Sequence, residues 1–167
     1  MAYVWDPLVR VVHWTVAALV VVELLNEASA NPWHRGLGYA VGALVLARLA
    51  WGLWGPASAR LASMARRAAC APAYALALTR RKHALEEGHN PLGACMAFTL
   101  WTLLLGAVAS GGMLRLDRFW GDDTVQAVHV VLSYTLAAFA ILHVAGVVAT
   151  SIVYRVNYVQ RMLAGRR

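Results

Sequence analysis

Two histidines, His129 and His143, stand on one apolar stretch, Val125 to Tyr154, with nothing charged between them. The fourteen residues from one to the other make close to four helical turns, so both rings leave nearly the same face. They lie about 21 Å apart along the axis. A hydrocarbon core is roughly 30 Å thick, which puts one imidazole near each face of a membrane. Such a helix offers one nitrogen ligand at each of two depths. If two other helices each bring one histidine, His13 joins His143 at one level and His34 joins His129 at the other. Two buried metal cofactors stacked across a membrane are the chemistry that this pattern suggests.

The elements that must position these residues are legible as apolar runs. The chain has 167 residues, 60% hydrophobic and only 14% charged, with seven Trp, which is far from the balance of a soluble domain. Runs at Leu8–Leu25, Leu37–Trp54, Leu92–Ser110 and Val125–Tyr154 are each long enough to span. The expectation is an all-α, integral membrane four-helix bundle forming one domain over 1–167, with helices at about 8–26, 34–54, 91–111 and 124–154 and a loop at 55–90. The first run carries Glu23 and His13 and lacks a persuasive small-residue cleavage site, so it reads as a retained helix rather than a signal peptide.

The net charge of +7 follows topology. If the helices alternate, Arg10, the group Arg60, Arg66, Arg67, Arg80, Arg81 and Lys82, and the group Arg155, Arg161, Arg166 and Arg167 share one side. Only Arg35, Arg115 and Arg118 fall on the other. By the positive-inside rule both termini and the long loop are cytoplasmic. The basic runs meet anionic lipid headgroups and give no reason to expect nucleic acid. Cys70 and Cys95 form no CxxC and no CxxCH, which argues against a disulfide framework and against covalently attached haem.

Local signals fill in the connections. Tyr3, Trp5 and Pro7 approach the membrane surface, Asn26, Glu27 and Asn31-Pro32-Trp33 make the first outer turn, and Asn90-Pro91 reads as N-cap and first residue of the third helix. Gly111-Gly112 is expected to end that helix. The loop holds two apolar-basic pieces split by Pro72, read as short surface helices with Tyr74, Leu76 and Leu78 facing lipid or protein. In the second helix, Gly38 and Gly42 leave a strip without side chains along the His34 face, open to a flat macrocycle or to a neighbouring helix. Arg48 either pairs with an acidic group of a cofactor or snorkels to the headgroups. The outer loop mixes Trp120 and Phe119 with Asp122 and Asp123, which suits interfacial anchoring or an external partner.

Six histidines are present, and four sort by depth into two pairs. Zinc needs four donors, and each level offers two nitrogens with no Cys or carboxylate to complete the set. A proton relay calls for intervening carboxylates, and Glu23 is the only one within a span. A planar haem already supplies four nitrogens and asks the protein for two axial ligands, most often imidazole. Haem is therefore the reading of these residues. His83, within Arg80-Arg81-Lys82-His83, reads as a solvated loop residue, while His89 precedes a helix start at the inner level.

The same motifs carry a family likeness. Arg10-Val-Val-His13-Trp14, Trp33-His34-Arg35-Gly36-Leu37-Gly38-Tyr39, Gly88-His89-Asn90-Pro91-Leu92-Gly93, and His129 with His143 resemble the bacterial cytochrome b561 family, nearest its branch of b-type cytochrome subunits of nickel–iron hydrogenases. The resemblance covers essentially the whole chain. It implies a multi-pass protein of the bacterial inner membrane with two non-covalent haem b groups, held by His13, His34, His129 and His143; beside these, Arg10, Arg35, Arg48 and His89 are expected as further cofactor contacts. It implies electron transfer between the quinone pool and a periplasmic redox protein such as a hydrogenase, another oxidoreductase or a cytochrome c. A homodimer is compatible with it. The alternatives are a stand-alone oxidoreductase that takes electrons from superoxide or a small reductant and passes them to quinone, and a purely structural membrane anchor.

Overall fold

The computed structural model describes residues 5–25, 32–79 and 90–165. The expectations resting on Tyr3, Asn26, Glu27, Asn31, Arg80, Arg81, Lys82, His83, Gly88, His89, Arg166 and Arg167 lie outside those residues, as does the side chain of Leu78. The described residues form α1 (Pro7–Leu25), α2 (Pro32–Trp54), α3 (Leu61–Ala69), α4 (Ala71–Thr79), α5 (Pro91–Met113), α6 (Asp123–Tyr154) and α7 (Tyr158–Ala164), with a 3₁₀ turn at Asp117–Phe119 and no strand. Four of these, α1, α2, α5 and α6, are long and apolar enough to cross a membrane.

The helices start where side chains can satisfy their first N–H groups. The Asp6 carboxylate accepts from Val9 N–H at 3.1 Å, and the Asn90 side chain accepts from Gly93 N–H at 2.7 Å with Pro91 at the first helical position. Asp122 accepts from Thr124 and Val125 at 2.8 and 3.0 Å. At its far end α6 closes with Arg155 in the left-handed conformation and a Val156 N–H bond to Ser151 O at 3.0 Å, after which Asn157 caps α7.

One expectation about a helix end needs correction. Gly111-Gly112 do not end α5, which runs through both to Met113. Glycine costs a helix interior only about 1 kcal/mol relative to alanine, which packing outweighs. Here the packing is specific, since a Cβ on Gly111 would stand 3.0 Å from Cε1 of His129. The glycine makes room for the imidazole.

Close packing links α1 to α2, α2 to α5, and α5 to α6, with α3 and α4 laid against α5 at one end. Val41, Val45, Leu104 and Leu136 form the buried centre, with Val16, Leu19, Leu49 and Trp101 around them. Between helices in lipid, close approach replaces hydrophobic burial as the source of cohesion. Gly42 shows it directly: a Cβ there would lie 2.9 Å from a Val108 methyl, so this part of the glycine strip admits α5. Gly38, one turn nearer His34, meets nothing within 4 Å. Outward-facing Val21, Ile141, Val144, Ile152 and Val153 form the apolar surface that meets lipid. The helices α1 and α2 stand further from α6, and four histidine rings reach into the space between.

Candidate cofactor sites

The structure brings His13 of α1 to His143 of α6, with ring centres 6.3 Å apart and planes at 65°. It brings His34 of α2 to His129 of α6, with ring centres 6.1 Å apart and planes at 80°. Metal–imidazole bonds of about 2 Å, plus the distance from nitrogen to ring centre, put two rings on opposite sides of one ion roughly 6 Å apart. Both pairs meet that spacing. Among the described residues no three His, Cys, Asp or Glu side chains gather to hold a bare ion. Two axial nitrogens per level and a gap between helices therefore fit a macrocycle that brings its own equatorial donors.

The surroundings of the four rings differ. At the outer pair, His129 Nδ1 lies 3.0 Å from Ala107 O and 3.1 Å from Ser110 Oγ, while the buried Ser110 hydroxyl donates back to Gly106 O at 2.8 Å. The carbonyl needs a donor, so the proton belongs on Nδ1 and Nε2 keeps its lone pair for a metal. His34 Nδ1 pairs with a Glu23 carboxylate oxygen, and the other oxygen of Glu23 is buried without a partner. At the inner pair, Trp14 stands edge-on to His13, ring centres 5.2 Å apart, and neither His13 Nδ1 nor Trp14 Nε1 has a partner.

Arg48 stands at the level of the His13–His143 pair. It follows His34 by fourteen residues, the same step that separates His129 from His143, which places it at that depth on the His34 face of α2. It does not snorkel. The residue is 4% exposed, its guanidinium lies 5.2 Å from the Trp101 ring centre, and Nη2 reaches Met64 Sδ of α3 at 3.5 Å. The short helix α3 covers the end of α2 and shuts the side chain in, against Gly52, where a Cβ would come 3.0 Å from Nη1. Nη1 itself is buried without a partner. An enclosed cation with a spare donor suits an acidic group such as a carboxylate.

The other candidates are placed less centrally. Arg10 donates from Nε to Met162 O at 2.9 Å and from Nη2 to Leu163 O, tying α1 to the last carbonyls of α7. Arg35 is half-buried beside His34 in the first turn of α2, and His89 lies outside the described residues. Glu23, Ser110 and Gly111 are the site residues that sequence reasoning did not connect to the histidines. The only advance signals were a carboxylate alone in a span and a small-residue run opposite a ligand.

Gly111 yields a direct test. Gly111→Val puts two methyl groups where Cβ alone already crowds His129, so the ring must turn away from His34. If each pair holds a haem, the expected outcome is loss of most haem at the His34–His129 pair with that at the His13–His143 pair retained, read from haem content and the low-spin spectrum. Full occupancy of both sites contradicts this geometry.

A helical membrane bundle that presents paired imidazoles between its helices defines the class, an integral membrane cytochrome. The chain belongs to the prokaryotic cytochrome b561 family, whose model matches residues 4–165. It is thus a membrane b-type cytochrome, and its role is electron transfer across a membrane. No curated protein and no solved structure gives a significant match.

Proposed function

We propose that the chain holds two b haems, the inner one between His13 and His143 and the outer one between His34 and His129, and passes electrons between a periplasmic redox protein and the quinone pool. The observation that supports this reading most is the pair of ring separations, 6.3 and 6.1 Å, at two depths of one bundle. When bound, a haem supplies an iron that accepts and returns one electron at a time.

The residues of the chain do the rest. The four histidines hold the irons at a spacing set by α6. Arg48 neutralises an acidic group of the inner haem, and the lipid-facing surface keeps water away. The positive ends of the chain, Arg10, Arg60, Arg66, Arg67, Arg155 and Arg161, belong to the cytoplasmic side of a bacterial inner membrane. Quinone reduction consumes protons, so its pocket belongs near that face, where His89 precedes the N-cap Asn90 and can donate to a quinone carbonyl.

The test is purification of the chain followed by acid-acetone extraction and reoxidation of the reduced protein by a quinone analogue. Two extractable low-spin haems per chain are expected, with His89→Ala slowing reoxidation at unchanged haem content. One haem per chain ends the two-site reading, and wild-type reoxidation by His89→Ala ends the role of His89.

A further inference from the structure

Glu23 is a carboxylate in the last turn of an apolar span, two residues from the end of α1, and its side chain is only 13% exposed. Placing an ionised side chain in hydrocarbon costs several kcal/mol unless something pairs with it. What it meets is His34 Nδ1, in the first turn of α2. An imidazole that gives its Nε2 lone pair to a metal keeps its proton on Nδ1, and that proton needs an acceptor. Three of the four rings differ in what they find there. His34 has the Glu23 carboxylate in ion-pair contact, His129 has the neutral carbonyl of Ala107, and His13 has neither at its Nδ1.

We propose that Glu23 is a positioning residue that makes the outer haem the lower-potential one of the two. This rests on the two-haem reading given above. Glu23 accepts the Nδ1–H of His34, which aims Nε2 at the iron and makes the imidazole a stronger electron donor. A stronger donor and a nearby negative charge both favour ferric over ferrous iron. At the inner level no carboxylate pairs with His13, and Arg48, shut in at that depth, offsets an acidic group of the haem and so favours the ferrous state relative to the outer level. The two buried charges separate the potentials in one direction. One electron leaves the outer iron, which goes from ferrous to ferric, and reduces the inner iron from ferric to ferrous, with no proton transferred between them. The fold thus biases electron flow from the outer face inward.

The experiment is a redox titration of the purified haem-loaded protein, followed optically and by electron paramagnetic resonance. The outer haem is identified as the one lost in His129→Ala. Glu23→Gln removes the charge and leaves an amide oxygen that still accepts from His34. Its outer midpoint should rise by the equivalent of at least a tenfold change in the ferrous-to-ferric ratio, about 59 mV for a one-electron couple. The inner midpoint should move far less. Asp123→Asn, which removes an exposed carboxylate at the same end, should leave the outer midpoint in place. Unchanged midpoints in Glu23→Gln, equal shifts of both haems, or the same outer shift in Asp123→Asn each overturn the proposal. If Glu23→Gln loses haem instead, loss confined to the outer site supports positioning of His34, and loss from both sites shows a folding role alone and overturns it. Failure of the two-haem reading looks different, because wild-type protein would then carry one haem, or His13→Ala and His129→Ala would empty the same site.

Discussion

On the two-haem reading, His143→Ala is expected to leave the protein with one haem and to stop electrons from crossing the membrane. The ring of His143 faces His13 at 6.3 Å, and no third donor stands at that level among the described residues to replace it. His13 alone offers one axial bond to a cofactor held by no covalent link. Loss of an outer-shell partner of a ligand costs about 10–100-fold in metal affinity, and loss of the ligand itself costs more. Haem content should therefore fall by half, with the outer low-spin spectrum intact. His13→Ala should give the same spectrum, whereas His34→Ala and His129→Ala should give its complement. A grouping of His13 with His129 is incompatible with the two levels described above.

Arg48→Met has opposite consequences in the loaded and unloaded protein. Arg48 is enclosed by Met64, Trp101 and Gly52, with Nη1 lacking any partner. Asp6 is the carboxylate whose charge reaches it, and the two form no ion pair; a buried cation so placed is a net cost, and a methionine of similar length fills the same space without it. The haem-free variant should thus unfold at the same temperature as wild type or higher. Once a haem carboxylate supplies the missing partner, removal of the arginine breaks a buried ion pair, an effect of about 3 kcal/mol or more. Transfer of the inner haem to an excess of haem-scavenging apoprotein should then be favoured by about 100-fold. Equal destabilisation of both forms would show that Arg48 serves packing alone.

The four spans were legible because a membrane demands long unbroken apolar runs, and α1, α2, α5 and α6 are that and little else. The histidine pairing was legible for a related reason. Antiparallel crossing fixes depth, so His13 and His143 had to share one level and His34 and His129 the other. What could not be read was anything that depends on how one helix leans on the next. Burial of Arg48 requires α3 to fold back and set Met64 over it, and no periodicity in α2 announces that. Gly111-Gly112 looked like a helix stop because glycine is the usual stop signal. Only the position of His129 shows that the absent side chain serves the ring. The pairing of Glu23 with His34 joins residues of α1 and α2, and its existence follows from the rotation of one helix against the other.

The helix α6 has 32 residues, so its length is about 48 Å, well beyond the hydrocarbon thickness it has to cross. It supplies one ligand to each candidate site. With a haem at each pair, the gap between the irons would for that reason be ruled by peptide geometry, at a rise of about 1.5 Å per residue, and not by the lipid around the protein. A thinner or thicker bilayer is met by tilting a helix of surplus length. Electron tunnelling slows steeply with distance, and on the two-haem reading α6 is a ruler that holds this distance constant while membrane composition varies with growth conditions.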